Sequence, residues 1–304
     1  MTRPIRIGTR QSELAIWQAR AIGEALGAAY ELVPVATQGD RDLHSPLAVI
    51  GGQGVFVKEV QSALLRGEAD LAVHSAKDLP SAQVDGLSIV AFPRRGDVRD
   101  SLVGARLAEL PSGAVVATGS ARRRALLLRK RPDLQIVNAR GNIRSRLERR
   151  QGAAAVMVAY AALERLGLGG LADQIFEIGE FCPQVAQGAI AVEARTGDAH
   201  MLEVAAAIDD RATAVEVTAE RAMLAELGTG CTLPVGAHAR WHEGGSIEIY
   251  AMISSLDGMR LVEATERGLD AVHVGSSLGK RLLAEGGAEL LAEAQPFAPG
   301  GAAV

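Results

Sequence analysis

The chain reads as an α/β protein built from two successive strand–helix series, followed by a small α+β domain. Three observations carry this. The first ninety residues switch repeatedly between short apolar runs and helical periodicity. A second series of the same kind begins near Asp100. From about residue 210 the pattern changes to one long amphipathic stretch and then to alternation with period two. A β-α-β-α-β order predicts a largely parallel sheet with helices on its faces.

In chain order, "IRIG" is a strand, and "SELAIWQARAIGEAL" is an amphipathic helix with Leu14, Ile16, Ala21, Ile22 and Leu26 apolar. "ELVPVAT" is a strand, "VFVKEVQSALLRG" a helix ending at Gly67, and "ADLAVHS" a buried strand. The stretch "FPRRGDVRD" is rich in Pro, Gly and charge, as a hinge is. The second series then runs "DSLVGA", "GAVVATG" into "SARRRALLLRKR", "LQIVNA", "NIRSRLERR" and "AAVMVAYAAL". In the last third, "DRATAVEVTAERAMLAEL" is a helix closed by Gly228, and "SIEIYAMISS" and "RLVEATERG" are antiparallel partners. "SLGKRLLAEGGAELLAEA" is a final helix.

Size and composition bound the function. The 304 residues suffice for two or three domains. No stretch approaches the roughly 20 apolar residues of a membrane span, and "MTRPIRIGTRQSELA" lacks the apolar core of a signal peptide. A cytoplasmic protein is expected. Two cysteines, Cys182 and Cys231, form no disulfide framework, and no Cys/His group has metal-ligand spacing, so no metal is expected.

Charge is unevenly placed. From Thr118 to Arg150 eleven Lys or Arg face only Asp133 and Glu148, in a chain whose formal net charge is −4. An acidic protein that concentrates arginine in one segment points to a local anionic partner.

In open α/β sheets ligands sit beyond the carboxyl ends of the strands. The residues just past each strand are polar or cationic: Thr9-Arg10-Gln11-Ser12, Ala76-Lys77-Asp78, Gly119-Ser120-Ala121-Arg122-Arg123, and Arg140-Gly141-Asn142. Ser12 and Ser120 also look like helix starts, where free N–H groups and the helix dipole favour anions. Arginine suits carboxylates because its planar fork holds two oxygens at once. The other readings are plain. Arg122, Arg123, Arg124, Arg129, Lys130 and Arg131 could form the solvated face of a helix. Lys77-Asp78 could be a surface ion pair, worth little. His74, in an apolar strand, fits a packed or hydrogen-bonded core histidine. Nucleic acid is poorly supplied for, because aromatic content is 3% and none interleaves with the basic run. Asp78, an acid among cations, should keep its charge and could stabilise a positive charge developing on a substrate.

The blocks "GTRQSELAIWQA", "GGQGVFVKEV", "ADLAVHSAKDLPS", "GSARRRALL", "NARGNIRSRL", "QGAIAVE" and "GCTLPVGAHA" together resemble the porphobilinogen deaminase (hydroxymethylbilane synthase) family, in the family's order, from Arg6 to about Ala239. The resemblance implies an α/β fold of three domains: 1–93 with 187–208, 99–183, and 210–304. The first two are similar to type II periplasmic binding protein lobes with a cleft between them. It implies a dipyrromethane cofactor held through a thioether to Cys231, while Cys182 reads as a buried apolar thiol. It implies head-to-tail joining of four porphobilinogen molecules onto that cofactor with loss of ammonia, then hydrolysis to 1-hydroxymethylbilane. Asp78 resembles the catalytic carboxylate that stabilises the azafulvene formed when ammonia leaves. Lys77, Thr118, Ser120, Arg122, Arg123 and Arg146 resemble ligands of the cofactor carboxylates. Arg10, Ser12, Arg140 and Arg165 resemble contacts for substrate or the growing chain, and Gln187 matches a cleft glutamine. The family suggests a monomer with no nucleic-acid or membrane partner.

The sequence departs from the family at Gln53 and Val49, where basic residues are common, at Ala76, where a larger apolar residue is common, and in "TGCTLPVG". No catalytic group is lost, but a lid with fewer cations should hold carboxylates less strongly. The rival reading is a binding-protein-like receptor for a small polyanion.

Overall fold

The computed structural model describes residues 3–37, 54, 57–139, 141–149, 152–228 and 233–294. They divide into two compact units, Met1–Gly96 with Gly188–Ala214, and Asp97–Gln187 with Val215–Val304.

In chain order the first elements are β1 (Ile5–Arg10), α1 (Glu13–Ala25), β2 (Tyr30–Val35), α2 (Lys58–Leu65), β3 (Leu71–Ser75) and β4 (Leu87–Ala91). Next come β5 (Asp100–Val103), β6 (Val115–Ala117), α3 (Ala121–Lys130), β7 (Gln135–Val137), α4 (Ile143–Arg149), β8 (Ala155–Ala159), α5 (Tyr160–Arg165) and β9 (Gln174–Ile175). The last are β10 (Ile190–Arg195), α6 (Ala199–Ala206), α7 (Arg211–Glu226), β11 (Val235–Trp241), β12 (Ile247–Ser254), β13 (Leu261–Gly268), α8 (Ala271–Leu282) and α9 (Ala288–Ala294).

The first unit holds a five-stranded sheet in the order β2-β1-β3-β10-β4. Side chains alternate across a strand, and the cores divide accordingly. Leu71 and Val73 pack with Ala19 and Ile22 of α1 and Met201 of α6, whereas Ala72 packs with Val60 and Leu64 of α2. Helices therefore cover both faces. The sheet is mixed, not largely parallel as the strand–helix rhythm predicts. β1 pairs in parallel with β2 and β3, but β10 runs antiparallel to β3 and to β4. The reason is covalent: β10 belongs to the chain returning from the second unit and enters the sheet from the opposite end.

The sheet of residues 97–187 repeats this plan in the order β7-β6-β8-β5-β9. β6 is parallel to β7 and β8, while β5, the first strand after the hinge-like segment, is antiparallel to β8 and β9. Met157 packs with Leu126 and Leu127 of α3, and Val156 and Val158 pack with Leu163 of α5. Asp100, the first residue of β5, lies opposite Ala159 and so stands at the carboxyl edge of β6 and β8.

The C-terminal third of the second unit is a three-stranded antiparallel sheet, β11-β12-β13. The period-two alternation of "SIEIYAMISS" is real: Tyr250 and Met252 join the core around α3 and Phe181, while Ile249 and Ala251 are buried on the other face. The single C-terminal helix expected is two, α8 and α9, because Gly286 at φ 108 breaks the pattern between them.

This small sheet docks on the α3 lobe at very short range. Gly258, at φ +74 in the β12–β13 hairpin, lies so close that a Cβ there would sit 2.2 Å from the Ala125 carbonyl oxygen. Gly258→Ala combines a left-handed backbone with a backbone clash, costing about 2–4 kcal/mol. The expected melting midpoint is at least about 5 °C lower; a midpoint within about 1 °C of wild type would contradict this docking.

Candidate functional site

The first unit contributes one strand-end cluster. β1 and β3 are parallel neighbours, Gly8 opposite Ala72, so both discharge their following residues at one edge. After β1, the buried Thr9 hydroxyl donates to the Ala15 carbonyl at 3.1 Å and braces the turn. Ser12 then caps α1, its Oγ accepting from the Ala15 N–H. Arg10 and Ser12 are half-buried. After β3 the chain makes a single 3₁₀ turn, Ala76–Asp78. Ala76 is buried and its N–H donates to the Ala189 carbonyl at 3.0 Å, which leaves Lys77 and Asp78 half-exposed at the rim. Beneath them His74 is a core histidine: its Nε2 lies 3.0 Å from Glu193, which also accepts from the Gln61 amide.

The second unit contributes the arginine cluster. β6 ends at Ala117 and Thr118 is buried, its N–H donating to the Val137 carbonyl. Gly119 is needed because a Cβ would stand 2.8 Å from the Ala139 carbonyl oxygen. Ser120 then caps α3, accepting from the Arg123 N–H. The charge run divides: Arg124, Arg129 and Lys130 are exposed, as on a solvated helix face, but Arg122 and Arg123 are 2% and 6% exposed.

Their counter-charge is Asp100, which is completely buried. Arg122 Nη1 donates to Asp100 Oδ2 at 2.7 Å and to the Cys182 carbonyl at 2.6 Å. Arg123 donates to Asp100 Oδ1 from Nε at 2.9 Å and reaches it with Nη2 at 2.7 Å. Burial pushes the Asp100 carboxyl up, but the Arg122 and Arg123 guanidiniums and the Gln187 amide outweigh it and hold the group at about 2. Gln187 is itself completely buried, donating to Asp100 Oδ1 and to the Val98 carbonyl and accepting from Arg123 Nη2.

Arg122 is the exception in this network. Its Nε and Nη2 are buried and find no acceptor among the described residues, and its guanidinium carbon stands 5.9 Å from the centre of the Phe181 ring. A buried charged donor without a partner costs free energy that an arriving anion would recover.

Arg146, in α4, donates from Nε to the Gly141 carbonyl at 2.8 Å. Arg165 closes α5, one short helix beyond β8, where burial draws its guanidinium down to about 10, still a cation at neutral pH. Cys182 is buried and burial pushes its thiol up. Cys231, Arg140, Gln53 and Val49 lie outside the described residues.

Two residues were not singled out in the sequence. One is Asp100, hidden in a charged segment that reads as a hinge. The other is Glu220, completely buried, which accepts from the Ala186 N–H at 2.6 Å and the Ala239 N–H at 2.9 Å. It holds Ala186 at φ 58, the one non-glycine residue with positive φ among those described. A signal existed for Glu220, since Thr213, Val217, Met223 and Leu227 put it on the buried stripe of α7.

Comparison with known proteins adds the rest. Residues 5–203 match the model of "Porphobilinogen deaminase, dipyromethane cofactor binding domain", and residues 214–284 match "Porphobilinogen deaminase, C-terminal domain". The chain is 45% identical to the porphobilinogen deaminase of a Roseiflexus species, over 96% of this chain and all of that one. It is 42% identical to the Acidithiobacillus ferrooxidans porphobilinogen deaminase, over 96% of this chain and 98% of that one. Among solved structures, a putative lipoprotein of Ruminococcus gnavus aligns at a TM-score of 0.41 with 13% identity, covering 69% of this chain and 93% of that one. An arginine-specific periplasmic binding protein of Salmonella typhimurium aligns at 0.38 with 14% identity, covering 68% and 92%. These two values are too low to bear on function.

Proposed function

Because the chain belongs to the porphobilinogen deaminase family, a family of transferases that carry dipyrromethane, we propose a residue-level account of how it performs that activity. The reaction joins four porphobilinogen molecules head to tail, releases one ammonia for each, and ends with hydrolysis to 1-hydroxymethylbilane. When bound, the dipyrromethane supplies the pyrrole terminus to which the first substrate is joined.

The observation that carries the assignment is the pair of idle donors on Arg122. Each pyrrole bears an acetate and a propionate, and a desolvated guanidinium with unused N–H groups is suited to one such carboxylate. Thr118, Ser120, Arg123 and Arg146 belong to the same lobe as Arg122, and we assign them, like Lys77, to the cofactor's carboxylates. Cys231 holds the cofactor through its sulfur. Arg10, Ser12, Arg140 and Arg165 take the carboxylates of the incoming substrate and the growing chain.

Asp78 acts at the reacting centre. As the aminomethyl C–N bond of the substrate breaks and ammonia leaves, positive charge spreads over the pyrrole ring. The Asp78 carboxylate stabilises that charge and accepts hydrogen bonds, or a proton, from pyrrole nitrogen. A new C–C bond then forms, and the displaced ring proton leaves. We assign three domains at 1–93 with 187–208, 99–183 and 210–304, and a cytoplasmic monomer. No helix among the described residues is long and apolar enough to cross a membrane.

Stoichiometry tests this account. Supplied with porphobilinogen, the protein should release four ammonia molecules for each linear tetrapyrrole it frees. Consumption without ammonia release would mark a receptor, not a transferase.

A further inference from the structure

We propose that Glu193 is a positioning residue for Asp78: with His74 and Gln61 it fixes the end of β3, from which the turn carrying Asp78 departs. This rests on the function proposed above and adds to it a residue that lies outside the strand-end clusters.

The contacts lie on one face of the first unit's sheet. β3 and β10 are antiparallel neighbours, with Ala72 opposite Glu193 and His74 opposite Ala191. His74 and Glu193 are therefore diagonal neighbours, on the face where Ala72 packs against α2. His74 Nε2 stands 3.0 Å from Glu193 Oε2, close but out of line for a hydrogen bond. Gln61 reaches in from α2, and its amide nitrogen donates to both Glu193 oxygens, at 3.1 and 3.0 Å. All three side chains are buried.

β3 is fastened on its other face as well. Ser75 and the buried Gln18 of α1 exchange hydrogen bonds at 3.0 and 3.2 Å. The last two side chains of β3 point to opposite faces, and each is tied to a polar partner there. The direction in which the chain leaves the strand is thus set from both sides, and Asp78 follows within one 3₁₀ turn.

Stability alone does not account for a carboxylate here. Ile190–Ala194 of β10 are all buried, and Glu193 is the charged one among them. Desolvating such a group is costly, and apolar residues of similar volume in its place are often neutral or stabilising. Polar contacts add direction: they hold one geometry where apolar packing tolerates several. An acid at a reacting centre gains from this, since about 1 Å of misplacement can cost on the order of 10²-fold in rate.

The test is a mutant cycle on the full-length holoenzyme, reading bilane formation well below the melting midpoint. Glu193→Gln should retain its cofactor mass and keep KM within about twofold, because the carboxylate-binding arginines are untouched, while kcat falls at least about tenfold. In the Asp78→Asn background the same substitution should change kcat by less than about twofold, because nothing is left to position. If Glu193→Gln does not fold, the triple variant Gln61→Leu, His74→Leu, Glu193→Met takes its place. It removes the three polar groups together, so it should melt within about 5 °C of wild type and show the same loss of kcat.

A folded variant with wild-type kcat would overturn the proposal. So would a loss that multiplies with that of Asp78→Asn, since Glu193 would then act independently of the acid, and so would a triple variant that fails to fold. A wild-type chain that forms no bilane, or Asp78→Asn turning over as fast as wild type, would instead refute the function proposed above and this role with it.

Discussion

Replacing Asp78 with Asn should leave the protein folded and carrying its dipyrromethane, while turnover falls by about 10²–10³-fold. Folding survives because Asp78 ends a one-turn 3₁₀ segment and is only half-buried, while the buried member of that turn is Ala76, fixed by its N–H to Ala189. The turn is further braced below by Ser75, within 3.0 Å of the Gln18 amide. An amide of the same shape keeps these contacts. It cannot keep a negative charge facing the cation that develops as ammonia departs, and that interaction grows only as the transition state forms. If Lys77-Asp78 were merely a surface pair, its removal would cost no more than about 1 kcal/mol, and turnover would stay within about fivefold of wild type. The rate of bilane formation decides between these outcomes, and a change of fivefold or less would remove Asp78 from the chemistry.

Cys231→Ser should abolish covalent pyrrole attachment altogether while leaving the melting midpoint of the cofactor-free protein within about 2 °C. The chain has two cysteines, and the structure disqualifies the other. Cys182 is 3% exposed and its thiol is pushed up by burial, so it supplies no thiolate. Its carbonyl is also in use, accepting from Arg122. A serine hydroxyl is far less acidic than a thiol and does not replace it as a nucleophile under the same conditions. Mass spectrometry of the purified variant reads the result directly. Pyrrole mass retained on Cys231→Ser would move the attachment point elsewhere.

Much of the scaffold was legible in the residues because it is local. Ser12 and Ser120 cap helices as their positions before apolar periodicity suggest, and Gly67 and Gly228 come after α2 and α7 with positive φ. What escaped is long-range. β10 is apolar almost throughout, as a strand buried on both faces must be, and its ladder partners lie about a hundred residues earlier in the chain. β11 alternates buried Ala237 and Ala239 with His238 and Arg240, but small residues give a faint period-two signal.

The site divides in the same way. Residue types at strand ends pointed to Arg10, Lys77, Asp78, Arg122 and Arg123, since each comes after an apolar run. That Arg122 and Arg123 lead different lives was not legible, because it depends on Asp100, which reaches them only through the β5–β8 register. Gln187 lies beyond β9, outside any strand or helix, and is placed by the same acid.

The intact mass of the wild-type chain, purified from cells able to make porphobilinogen, tests the central claim most directly. A protein whose Arg122 awaits a carboxylate and whose cofactor hangs on sulfur should outweigh its own sequence by two linked pyrrole units, with the excess confined to the peptide containing Cys231. A mass equal to that of the bare polypeptide would contradict the account.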